Sequence, residues 1–174
     1  MQVSRPSFTT YIAIALTLMT LTGCDRYRVT VNEQAVYEPA PLFADFSIDD
    51  HALFICVQQT IEDERITDAE QLKALNCSHA GISSLKGLAR FTQLESLNVG
   101  NNSISDVRVL QDNARLKQLD LRNNRLQSVE VLLAMPNLEI VRLGGNTALN
   151  CANATALAKL VSKTELPTHC KAGS

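Results

Sequence analysis

Tryptophan is absent from this chain of 174 residues, and aromatic residues of all kinds make up only 5% of it. That shortage argues against a platform of exposed rings of the kind that stacks sugars or nucleobases. Charge of one sign is lacking as well. Sixteen Lys and Arg stand against 18 Asp and Glu, for a net charge of −2. A surface that tracks phosphates would leave a basic excess, so nucleic acid is not expected as a partner. No apolar run reaches the roughly 20 residues of a comfortable membrane span. Glycine-rich phosphate loops, G-x-S-x-G and H-E-x-x-H are all missing, which removes the common signatures of nucleotide, serine-hydrolase and zinc-protease chemistry. What is present is length for one domain with appendages and a hydrophobic content of 45%, enough to bury a core.

The one greasy stretch lies at the N-terminus. Residues 1–10 carry a single charge, Arg5, and residues 11–21, YIAIALTLMTL, are apolar. This pattern matches a secretory signal peptide. It ends in Leu21-Thr22-Gly23-Cys24, which resembles the lipobox of bacterial lipoproteins. The resemblance implies cleavage before Cys24, a diacylglyceryl group on its thiol and acylation of the new amino terminus. Several acyl chains make a lasting anchor, where one binds only marginally. The expected mature chain runs from Cys24 to Ser174 and loses Arg5, which takes its charge from −2 to −3. In enterobacterial lipoproteins an Asp after the lipidated Cys, here Asp25, goes with retention in the inner membrane.

From Leu72 the chain repeats itself every 22 residues, with segments starting at Leu72, Leu94, Leu116 and Leu138. Position 4 reads Leu75, Leu97, Leu119, Val141; position 6 reads Cys77, Val99, Leu121, Leu143. Position 9 reads Ala80, Asn102, Asn124, Asn146, and position 11 reads Ile82, Ile104, Leu126, Ala148. This L-x-x-L-x-L-x-x-N-x-L pattern resembles that of leucine-rich repeats, and its length and return segment resemble the internalin type. The expected fold is an α/β solenoid of about four repeats, with strands at positions 3 to 5 forming a parallel concave sheet. Leucines at positions 1, 4, 6, 11, 14 and 17 point into a core that one repeat cannot close alone. The position-9 asparagines read as structural, bonding to backbone in the turn and the next coil.

The open ends need covers. Residues 46–64 read as a helix, with Ser47 and Asp50 as a capping-box start and Leu53, Phe54, Val57 and Ile61 on one face. Thr67 and Glu70 form a second such box before the first strand. At the far end, residues 151–170 carry Leu157, Leu160 and Val161, suited to a helix over the last repeat; the flanking cysteines resemble those of C-terminal leucine-rich-repeat caps. The expected divisions are a signal peptide, 1–23; a lipidated tether, 24–46; a helical N-terminal cap, 47–71; repeats, 72–150; and a disulfide-bonded C-terminal cap, 151–174. The tether holds the extended stretch YEPAP and a possible strand, RYRVTV, against the cap.

Five cysteines are an odd number for an exported chain. With Cys24 given to lipid, four remain, and an oxidising compartment favours two disulfides. Three pairings are open. Cys77 sits at an inward position of the first repeat, where only the N-terminal cap can reach it. This favours Cys56–Cys77 and Cys151–Cys170, since other pairings would cross about four repeats, or roughly 15–20 Å.

No metal or cofactor is expected, because zinc needs four convergent ligands and the cysteines belong to opposite ends of the solenoid. The histidines are His51, His79 and His169. Glu62, Asp63 and Glu64 read as a solvated run at a helix end. What remains is the outward strand face, whose candidate contacts are Asn76, Asn98, Gln118, Asp120, Arg122, an exposed Ile140 and Arg142. The expected function is non-enzymatic: a membrane-anchored monomeric lipoprotein, facing the periplasm or the cell surface, whose repeats recognise an envelope protein or peptide. The alternative is a structural envelope lipoprotein contacting peptidoglycan or polysaccharide.

Overall fold

A computed structural model describes residues 29–31, 34–37 and 40–171. Cys24, the expected signal peptide and Asp25 lie outside the described residues. The chain divides into two units at Ala40/Pro41.

In the first unit, β1 (Val29–Val31) pairs antiparallel with β2 (Gln34–Tyr37), with Thr30 opposite Ala35 and a bulge between Val29 and Thr30. The strand expected in RYRVTV therefore forms, and its partner is the neighbouring segment of the tether.

The second unit is a parallel five-stranded sheet with one helical cap at each end. Strands β3 (Ala74–Asn76), β4 (Ser96–Asn98), β5 (Gln118–Asp120) and β6 (Ile140–Arg142) occupy positions 3 to 5 of successive repeats. They pair in chain order, position for position, so Leu75 lies beside Leu97, Leu119 and Val141. Each strand returns through an irregular segment with a 3-10 turn, at Leu88–Arg90, Arg108–Asp112 and Glu130–Ala134. This is the leucine-rich-repeat solenoid.

The core consists of rows running across the coils. Leu85, Val107 and Val129 form the position-14 row and Leu88, Leu110 and Leu132 the position-17 row, all buried. Each such side chain contributes roughly 1.5–3 kcal/mol by leaving water. Position 11 breaks in the last repeat. Ala148 is exposed there, and Leu149, one residue on, fills the place.

Polar backbone inside the stack is satisfied by the position-9 asparagines. Asn124 Oδ1 accepts from Ile104 N, while Nδ2 donates to Val99 O and Leu121 O. Asn146 likewise accepts from Leu126 N and donates to Leu121 O and Leu143 O. Asn102 serves Gly81, Ile82, Cys77 and Val99. Each amide bonds within its own coil and across to the one before. Position 8 turns with positive φ in every repeat, at His79, Asn101, Asn123 and Gly145. The last of these must be glycine, because a Cβ there would collide with the Asn123 side chain.

At the N-terminal end, α1 (His51–Asp63) buries Leu53, Val57 and Ile61 over the first repeat. The Ser47/Asp50 capping box does not form. Asp50 is itself the N-cap: Oδ1 accepts from Leu53 N at 3.1 Å, and Oδ2 accepts from Ser83 N, Ser83 Oγ and Ser84 N. One carboxylate thus starts the helix and pins it to the first repeat. Nor does a Thr67/Glu70 box form. The 3-10 turn Ala69–Gln71 is capped by Asp68, and Gln71 Oε1 accepts from Thr67 N. The Cys56–Cys77 bridge spans 5.8 Å between Cα atoms, and closing such a loop contributes about 3 kcal/mol by restricting the unfolded chain.

The packed unit starts earlier than position 47. Phe43 and Phe46 join Phe54 and buried Phe91 in an aromatic cluster with centroids 5.6 to 6.2 Å apart, and Phe43 N donates to Ile66 O. Residues 47–48 cross directly over Gly87, where a Cβ would lie 2.5 Å from Ser47 O.

At the other end, α2 (Cys151–Leu160) is capped by Asn150 and buries Ala154 and Leu157. Val161 is buried too, but Leu160 is 67% exposed, because its helical phase sets it off the face that Ala154, Leu157 and Val161 share. A strand follows that the helical reading of this region did not include. β7 (Lys163–Glu165) pairs parallel with β6 and extends the sheet by a fifth strand. Buried Pro167 and the short α3 (Thr168–Lys171) complete the cap, and Cys151 bridges to Cys170.

Two buried asparagines allow a direct test of this account. Asn113 occupies the position of Phe91 and Met135 in adjacent repeats; its Nδ2 donates to Leu88 O and Phe91 O, but its Oδ1 is buried without a partner. Asn124→Ala should cost about 2–4 kcal/mol, whereas Asn113→Met should change stability by no more than about 1 kcal/mol. Urea unfolding midpoints of the two variants decide this.

Candidate functional site

Side chains at positions 3, 5 and 7 of each repeat leave the sheet on its outward face, where the candidate contacts lie. The strands set their spacing at about 4.8 Å. The structure places all seven candidates on this face and gives several of them a local task. At position 5, Asn76, Asn98 and Asp120 each accept a hydrogen bond from the backbone N–H two residues on, at Ser78, Gly100 and Arg122. These are Asx turns that end the strands.

Asp120 is buried, at 5% exposure. Arg122 folds back on it, with Nε 3.0 Å from Oδ1 and Nη2 2.6 Å from Oδ2. Arg142 Nη1 stands 4.0 Å from the same carboxylate. Burial opposes ionisation of Asp120, but hydrogen bonds from the Arg122 side chain and backbone, with the charges of Arg122 and Arg142, outweigh it and hold the carboxyl below its ordinary value. Asp120 therefore acts from beneath, orienting Arg122. Ile140, expected to be exposed, is half-buried; Gln118 is exposed, and Arg142 is partly covered. Glycines at position 7 flank Arg122, and at Gly144 a Cβ would meet Glu165 Oε1. Glu165, on the unforeseen strand β7, contributes a second negative charge felt by Arg122.

A second row went unread. Position 2 alternates in sign: Lys73, Glu95, Lys117, Glu139. Lys117 Nζ lies 2.7 Å from Glu95 Oε2. The Lys117 hydrogen bond and the charges of Lys117, Lys73 and Arg115 lower the Glu95 carboxyl, while Glu95 and Glu139 raise the lysine. The signal was legible as alternation at a fixed register.

The remaining feature is a cleft of about 350 Å³ between the C-terminal end of α1 and strands β3 and β4. Its walls include Thr60, Asp63, Glu64, Asn76, Ser96 and Asn98. Asp63 Oδ1 accepts from Gln59 Nε2, and neither Asp63 nor Glu64 is in an ion pair among the described residues. The run Glu62–Glu64 is solvent-exposed, as expected, and Asp63 and Glu64 also line this cleft. At the opposite end, Cys151, His169 and Cys170 bring their donor atoms within 4.8 Å of one another, with the two cysteines bridged.

A model of two leucine-rich repeats matches residues 114–159. No curated protein sequence matches the chain. The crystal structure of an internalin from Listeria monocytogenes strain 4b F2365 superposes with a TM-score of 0.60 at 22% identity, over 75% of this chain and 39% of that one. Internalin C2 of the same strain aligns at 28% identity over 49% of this chain and 36% of its own, with a TM-score of 0.40, too loose to bear on the fold. The chain spans about two-fifths of the first internalin's length. Repeat pattern and superposition together give the chain the leucine-rich-repeat solenoid fold. Among the described residues, no helix is long and apolar enough to cross a membrane.

The Asp120 pairing predicts an acid-sensitive difference. Its folded value lies below the ordinary 3.8, so its stabilisation is fully present above that value and is lost as pH falls through the folded value. Unfolding midpoints of the parent and Asp120→Asn should differ by a constant amount near neutral pH and converge only as pH falls below the ordinary carboxylate range.

Proposed function

We propose that this is a lipid-anchored envelope protein whose repeat face captures an extended segment or loop of a protein partner without chemical turnover. The observation that carries the reading is the continuous outward face of five parallel strands, ending at the cap in the cleft lined by Asp63, Glu64, Asn76 and Asn98. Solenoids present such rigid, strand-borne surfaces for recognition. The five strands span about 20 Å, the width of a short peptide rather than of a large wrapped domain. Later repeats are neutralised internally, through Asp120–Arg122 and Glu95–Lys117. The carboxylates of the cleft therefore favour a segment that places a cationic side chain at the cap end. Anchoring rests on the Leu21–Cys24 motif, and the export it implies is in keeping with the paired cysteines.

Charge reversal at Arg122 would leave Asp120 buried against a second carboxylate, so it tests folding rather than capture. Ser96→Arg, which fills the cleft, and Arg142→Gln, which removes a charge without setting a second carboxylate beside Asp120, leave the asparagine rows intact. Affinity capture of the full chain from its own detergent-solubilised membranes, read by mass spectrometry, should yield a protein that the folded double variant no longer retains. Identical captures would refute the face as the binding site, and retention on purified peptidoglycan without protein would favour the glycan reading. Separately, Cys24→Ser should abolish incorporation of labelled palmitate and release the chain from sedimented membranes. Unchanged palmitate labelling would rule out the anchor.

A further inference from the structure

We propose that the cleft between α1 and strands β3 and β4 takes one arginine of the partner segment, holding its side chain at the wall and its backbone at the floor; this rests on the sheet-face reading and specifies it. The wall is the end of α1. Glu62 and Asp63 close that helix, Glu64 is its C-cap, and its last turn holds no basic residue. A helix C-terminus carries partial negative charge and is stabilised by cations, so three successive carboxylates there work against the fold. Compensation is slight. Gln58 Nε2 donates to Glu62 Oε1 at 3.0 Å and Gln59 Nε2 to Asp63 Oδ1 at 2.8 Å, and both donors are neutral amides. Arg65 and Lys73, the nearest cations along the chain, form no ion pair with these acids among the described residues. Proteins break such local rules chiefly at functional sites. Here the missing cation is one that the partner brings.

The floor is the outward face of β3 and β4, where Ala74 and Ser96 are small and Asn76 stands beside Asn98. The Asx turns fix how these amides face. Each Oδ1 accepts from the backbone N–H two residues on, Ser78 N at 3.3 Å and Gly100 N at 3.1 Å. An N–H can meet only the acceptor end of an amide, so each Nδ2 is the group left over. Neither Nδ2 donates to any group among the described residues. The floor therefore offers N–H donors, and the wall offers carboxylate acceptors. An extended peptide with a basic side chain is complementary on both counts: its backbone carbonyls accept from the amides and its side chain donates to the carboxylates. Arginine suits the wall better than lysine, because its planar fork presents several donors at once to adjacent carboxylates. The volume of about 350 Å³ admits one such residue. A metal ion or a bare amine would use the wall alone.

The experiment titrates acetyl-arginine methylamide into the full ¹⁵N-labelled chain in detergent and follows its side-chain amide resonances. Those of Asn76 and Asn98 should shift together and saturate. The citrulline counterpart, equal in shape but uncharged, should bind about tenfold more weakly, and so should agmatine, which keeps the guanidinium but lacks the backbone. Asp63→Asn combined with Glu64→Gln should abolish the shifts while raising the urea unfolding midpoint, because it relieves the helix end. Unmoved amide resonances overturn the proposal. So does equal affinity for citrulline or agmatine, and so does a lowered midpoint in the double variant, which marks the carboxylates as structural. If the probes fail while membrane capture still depends on Ser96 and Arg142, this inference falls and the sheet-face reading stands. Saturable arginine binding with no captured protein refutes that reading and leaves the cleft as an arginine site.

Discussion

The structure depends on a buried amide repeated every 22 residues. A leucine-rich coil that turns inward leaves backbone donors and acceptors with no water to meet them, at a cost of about 1–3 kcal/mol for each group left bare. Asn102, Asn124 and Asn146 remove that cost by bonding to their own turn and to the preceding coil. The consequence is register. Once these amides are paired, each coil is locked one repeat behind the next, and the leucine rows align because of it. At Ala80 no amide is available, and the first repeat is held by Asn102 from the following coil, by Asp50 and by the Cys56–Cys77 bridge.

Register also decides what the outward face can offer. Because positions stack on their equivalents, a charge at one repeat meets the charge at the same position of its neighbour. The position-2 row alternates in sign and neutralises itself. Asp120, Arg122, Arg142 and Glu165 do much the same in a cluster. Position 5 is largely committed to ending the strands, through Asx turns at Asn76, Asn98 and Asp120. Among the described residues, Asp63 and Glu64 stand outside any ion pair where the cap helix meets the first strands. This asymmetry distinguishes one end of the face from the other.

Each end is closed by the same device in different material. At the N-terminal end a helix, an aromatic cluster and a disulfide cover the first repeat. At the other, a shorter helix covers the last repeat and the chain then returns to add a short strand with charged outward residues, Lys163 and Glu165. Short charged strands are poor templates for edge-to-edge association. The C-terminal bridge also gathers a histidine beside two sulfurs, a juxtaposition created by the turn through Pro167 and α3.

The repeat period, the strand positions, the inward rows and the structural role of the asparagines were legible because a solenoid repeats one local solution and each repeat touches only its neighbours. The cysteine pairing followed from the same one-dimensional order. Other features required tertiary structure. Asp50 became the cap in place of Ser47 because its second oxygen found Ser83 and Ser84, 33 and 34 residues away. β7 formed because the end of a stack has an unpaired strand edge to satisfy, and no periodicity signals that. Cleft and cap cluster alike arise where irregular chain folds over the solenoid's ends: Asp63 and Glu64 beside Asn98, His169 beside Cys151. By itself the sequence determined the repeating interior, because inward spacing is a local property. Only the tertiary structure decided which charges cancel, which remain and which donors meet, because those depend on distances between residues that the repeat does not relate.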